Sequence, residues 1–96
     1  MFIVSISYRV ELSAVDAHIP EHVAFLEKYY ASGHFIASGR KEPRTGGVII
    51  ANAESRQVIE QILAEDPFAK AGIADYDITE FLPTKMAEGF ERFMKE

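Results

Sequence analysis

The hydrophobic period of this chain switches from two to about 3.6 and back, and then does so again, which leaves few folds open to it. Phe2, Val4, Ile6, Tyr8 and Val10 alternate with Ile3, Ser5, Ser7 and Arg9, as in a strand with one apolar face. After a polar stretch, Pro20 suits a first helical turn, and Val23, Leu26 and Tyr30 recur at helical spacing up to a stop at Gly33. Two strand-like runs follow, His34 to Arg40 and Gly47 to Asn52, and Glu42-Pro43-Arg44-Thr45-Gly46 between them predicts a turn joining an antiparallel pair. Ser55 suits the cap of a second helix with an apolar stripe of Val58, Ile59, Ile62 and Leu63, which Asp66 ends because the residue before Pro67 disfavours helical geometry. Tyr76, Ile78 and Glu80 alternate with Asp77, Thr79 and Phe81 in a last strand closed by Pro83. The order is βαββαβ, an α+β, ferredoxin-like arrangement with a four-stranded antiparallel sheet. Beyond it, Met86, Phe90, Phe93 and Met94 share one helical face. The reading is therefore one domain over 1–83 and a helical extension over 84–96, serving as a lid, an arm across a dimer or a cover on its own subunit.

With 96 residues, 48% of them hydrophobic, the chain has material for one small core. It has no cysteine to staple that core, so self-association into a homodimer or higher homo-oligomer is the expected source of further burial. A formal charge of −5 has the wrong sign for phosphate backbones, which excludes nucleic acid as a partner. The first residues lack a charged lead and read as a strand, and no apolar run reaches membrane-spanning length. A cytoplasmic protein with no membrane partner is expected.

Both helices on one face of the sheet leave the other face open. Alternation assigns Ser5, Ser7 and Arg9 to that face, joined by His34, Ile36, Ser38 and Arg40 from the second strand. Such a face is either partly solvated or set against a second copy, enclosing a pocket for a small molecule. Two titratable residues open the helical segments: His22 in the first, and Asp66 before the short turn Pro67 to Gly72. Asp66 is also an ideal N-cap for that turn, and the two roles are compatible. His18 and His22 lie four apart, but Pro20 interrupts them and no third ligand stands at a recognised spacing, so no metal site is expected. Gly46 and Gly47 are explained by the turn, with no following helix to make a phosphate cradle.

Several of these pieces together resemble the YCII-related proteins. They are Pro20-Glu21-His22-Val23-Ala24-Phe25-Leu26, Gly33 with Ala37-Ser38-Gly39, Gly46-Gly47-Val48-Ile49-Ile50, Asp66-Pro67-Phe68 with Ala71-Gly72, and Tyr76-Asp77-Ile78 with Phe81. The resemblance runs from the first strand to Pro83 and implies a dimeric α+β barrel, with His22 and Asp66 as an active-site pair. One characterised branch of that family eliminates HCl from a chlorinated hydroxyhydroquinone. Arg40 follows Gly39 where many relatives carry proline, which adds a cation near the pocket. The implied chemistry needs no cofactor: His22 shuttles a proton on a small cyclic enol, quinol or lactone, Asp66 holds its ring, and Ser38 or Arg40, with Ser7 and Arg9 nearby, meets a developing oxyanion. Dehydrochlorinase (lyase) and isomerase activities both fit; a non-catalytic dimeric ligand-binding or assembly module is the rival.

Overall fold

A computed structural model of the protein describes residues 1–94. The elements run β1 (Phe2–Tyr8), α1 (Leu12–Asp16), α2 (Ile19–Ala31), β2 (Phe35–Arg40), β3 (Gly46–Ala51), α3 (Arg56–Leu63), α4 (Pro67–Lys70) and β4 (Ala74–Glu80). The four strands form one antiparallel sheet in the order β2-β3-β1-β4, with β1 paired to both β3 and β4. This is the expected ferredoxin-like βαββαβ frame, with the small helices α1 and α4 added before α2 and β4. Among the described residues no helix is long and apolar enough to cross a membrane.

The alternation in β1 sets the two faces as its pattern requires. Phe2, Val4 and Ile6 are buried under the helices together with Ile49 and Ala51 of β3, while Ile3 and Ser7 are exposed on the opposite side. Ser55 caps α3, its side chain accepting from the Val58 N–H, and Ile59, Ile62 and Leu63 are buried. Gly46 is required where β3 meets β1: a Cβ there would stand 1.7 Å from the Ile6 carbonyl oxygen.

Three expectations give way. The inward face of α2 carries Phe25 and Tyr29, whereas Val23 and Tyr30 of the expected stripe are exposed. Phe25 and Tyr29 pack on each other and on Phe35 of β2, and this phase of the helix turns His22, one helical turn before Phe25, inward. In β2 the pairing shifts between Phe35 and Ala37, a bulge that resets the alternation. Ser38 then stands opposite Ile49 and Arg40 opposite Gly47, so both lie on the helix side and not on the open face. Finally, the expected helix over 85–94 is a single 3-10 turn, Phe90–Phe93. Gly89 precedes it at φ 93°, a left-handed conformation that breaks any helix from Lys85. Asn52 Nδ2 donates to the Phe93 carbonyl at 2.9 Å and ties this segment to the end of β3. The last two residues of the expected extension lie outside the described residues.

Candidate active site

Asp66 is the buried pivot of the site, with no exposed surface. Its position follows from local sequence: extended backbone before Pro67 lets its side chain fold over the start of α4, where Oδ1 accepts from the Phe68 N–H at 3.1 Å. The same oxygen lies 2.8 Å from His22 Nδ1, which α2 directs inward. The other oxygen, Oδ2, accepts the Tyr76 hydroxyl of β4 at 2.5 Å. Capping and the histidine contact therefore share one oxygen, so the two roles expected of Asp66 coexist. A buried carboxyl is tolerated only when its lone pairs are filled, and here three donors from three elements fill them.

Tyr76 belongs to this site although the sequence reading placed it only in the β4 alternation. The available signal was its inward position on β4, register partner to Ile6. Burial and the bond to Asp66 push its phenol well above the ordinary tyrosine value. The plane of the imidazole is fixed as well: His22 stacks on Phe68 at 4.1 Å between centroids and 8° between planes, and Tyr8 meets Phe68 edge-on at 5.9 Å. With Asp66 accepting at both oxygens, Nδ1 is the nitrogen that donates, and in the neutral ring the lone pair is then on Nε2. The His22 side chain is 13% exposed, and among the described residues Nε2 has no hydrogen-bond partner.

His22 borders a cavity of about 660 Å³ on the helix side of the sheet, between α2, β1 and the β2–β3 pair. Ile6, Ile19, Leu26, Ile49 and Phe68 give it apolar walls; Tyr8, Asp16, Ser38, Arg40 and Arg44 bring polar groups to it. Its size and mixed lining suit a small molecule. The open face is thus not where this cavity forms: the helices stop short of covering the β2–β3 side of the sheet. Of the sequence candidates, the fold brings together His22 and Asp66, with Ser38 and Arg40 on the cavity wall. Ser38 Oγ is already engaged by the Tyr30 hydroxyl at 2.7 Å. Ser7 and Arg9 lie elsewhere: Ser7 accepts from Lys41 Nζ at 3.3 Å, and Arg9 faces Asp75 at 3.7 Å, both near solvent. Arg44 and Tyr8 are cavity residues that sequence reading did not single out. Among the described residues no group of three or more His, Cys, Asp or Glu side chains is placed to hold a metal ion.

The family model for the YCII-related domain matches residues 1–82. Among solved structures, the chain is similar to 5-chloro-2-hydroxyhydroquinone dehydrochlorinase from Burkholderia phenoliruptrix AC1100, determined in complex with 2,5-dihydroxybenzoquinone. The two share a TM-score of 0.71 and 21% identity, over 85% of this chain and 94% of that one. The likeness is one of fold. The chain matches none of the curated proteins.

Tyr76→Phe tests the pivot. Removing the hydroxyl leaves Asp66 Oδ2 without its donor, at an expected loss of about 1–3 kcal/mol in denaturant unfolding. The pH dependence has a definite sign. The folded state holds the Tyr76 proton more tightly than the unfolded chain, so the wild type loses stability as pH rises above the ordinary tyrosine value of 10.0. The difference between wild type and variant should then shrink with rising pH, by up to about 1.4 kcal/mol per unit. A difference that stays constant through that range would show that the phenol is not held in this way.

Proposed function

The chain belongs to the YCII-related domain family, and from that membership and the geometry of its cavity we propose a cofactor-independent enzyme that moves protons on a small cyclic enol, quinol or lactone. The observation that carries the reading is the histidine itself: Nδ1 is held by a fully buried carboxyl while the ring borders a cavity. A rigidly held imidazole with one free nitrogen suits general acid–base work in the physiological range. In this reading Nε2 of His22 is the proton carrier and Asp66 orients it, with Tyr76 orienting Asp66 in turn.

The neighbouring dehydrochlorinase suggests the more specific reaction, loss of HCl from a chlorinated hydroxyhydroquinone. Such an elimination needs a proton carried from one ring hydroxyl to the chlorine-bearing carbon. Departure of a second hydroxyl proton then supplies the electrons that expel chloride and leaves a hydroxyquinone. Both proton movements lie within the reach of one imidazole, and neither requires a change in net oxidation of the protein. Isomerisation of a lactone uses the same two movements without a leaving group.

The reading includes a homodimer. On the open face Ile3 pairs with Ile50, which in turn pairs with Ala37, and Val48 lies beside Ser5, so an apolar centre is left uncovered. Ile3 is 39% exposed there. An apolar patch repeated on a second copy is a self-complementary interface. Sedimentation should give twice the monomer mass, and Ile3→Asp should return it to one; a wild type that sediments as a monomer at micromolar concentration removes this part of the reading.

The catalytic claim is tested by chloride release from chlorinated hydroxyhydroquinones under anaerobic conditions, corrected for spontaneous loss. His22→Asn should lower the rate by about 10²- to 10⁴-fold, the usual contribution of a positioned acid or base. A loss below about threefold would rule out His22 as the proton carrier; no acceleration by the wild type would remove chlorinated quinols as substrates.

A further inference from the structure

Two arginines reach the cavity, and they differ in how they are held. Arg40 closes β2 with its side chain 70% exposed, and its nearest acid, Glu42, is 3.8 Å away and exposed as well. Arg44 lies in the β2–β3 turn, only 27% exposed, with Nη2 donating to Asp16 Oδ1 of α1 at 2.6 Å. Its backbone is fixed too. The Tyr8 N–H donates to the Thr45 carbonyl at 2.9 Å, the Lys41 N–H to the Gly46 carbonyl at 2.9 Å, and the Thr45 N–H to the Pro43 carbonyl at 2.7 Å. The hydrogen bond to Asp16 holds the guanidinium in its charged form.

Asp16 and the neighbouring Tyr8 hydroxyl leave others of the five N–H donors that a guanidinium carries. The remaining donors belong to a group already ordered at both ends, so a ligand that binds them does not have to immobilise a long side chain. Arg40 would have to be ordered by the ligand, which offsets much of its attraction. The rest of the wall is largely apolar, with Ile6, Ile49 and the parallel rings of Phe68 and His22 lining the space. In a chain of formal charge −5, a preorganised cation in such a cavity discriminates by ligand charge.

We propose that Arg44, positioned by Asp16, is the anion-recognising residue of this cavity, and that its ligand is a planar ring bearing an ionised oxygen: a carboxylate, phenolate or enolate. The assignment rests on reading the cavity as a substrate site and adds the charge its substrate must carry. It also moves the oxyanion contact from Ser38 and Arg40 to a residue in the turn.

The test compares charged and uncharged rings of matched shape by calorimetry and by NMR shift perturbation. One pair is 2,5-dihydroxybenzoquinone against 2,5-dimethoxybenzoquinone; the other is benzoate against benzamide. The wild type should prefer the charged member. Arg44→Gln should weaken that member about tenfold, the size of one charge-assisted hydrogen bond, while the uncharged member changes less than about twofold and serves as the folding control. Arg40→Gln should change either by less than about twofold. If benzoate discrimination is present and is lost in Arg44→Gln while neither quinone binds, the assignment stands and quinols are removed from the substrate class. Failure of both charged members to bind overturns the assignment. So does equal loss of both members in Arg44→Gln, or a larger selective loss in Arg40→Gln.

Discussion

A carboxyl group cut off from solvent is stable only where donors surround it, and the three that surround Asp66 come from three separate parts of the chain. The Phe68 N–H comes from the helix that Asp66 itself caps, His22 from α2, and the Tyr76 hydroxyl from β4, whose register with β1 is fixed by Tyr76 standing opposite Ile6. The pivot therefore ties the second half of the fold to the first, and the geometry of His22 is a consequence of correct folding on both sides.

Catalytic potential follows from the same constraint. Stacking on Phe68 sets the plane of the imidazole and the bond to Asp66 sets its rotation, so the ring has little freedom left. The free nitrogen then belongs to a group that need not be ordered by the substrate, which is the condition under which one imidazole contributes most to a proton transfer. Around it the helices leave the β2–β3 side of the sheet uncovered, and the resulting cavity lies where the bulge in β2 has turned Ser38 and Arg40 inward.

Much of this was legible in the residues because it depends on local rules. Alternation placed Phe2, Val4 and Ile6 toward the helices, and Ser55 and Asp66 were readable as caps because both lie next to helix starts that their side chains can reach. What was not legible depends on contacts between distant segments. A bulge is not a property of β2 alone, so alternation continued through Phe35 to Ala37 and put Ser38 and Arg40 on the wrong face. The stripe of α2 was misphased for a similar reason: Phe25 and Tyr29 win the inward face through what they pack against, not through spacing. Tyr76 looked like one more strand aromatic, since only the fold brings its hydroxyl to Asp66.

The most direct test of the account is the tautomer of His22, read from the ring-nitrogen chemical shifts of the ¹⁵N-labelled protein at a pH where the imidazole is neutral. The account predicts a single form, with the proton on Nδ1 and an unprotonated Nε2. A proton on Nε2, or the averaged mixture of a freely solvated imidazole, would contradict it, because His22 would then present no fixed lone pair to the cavity.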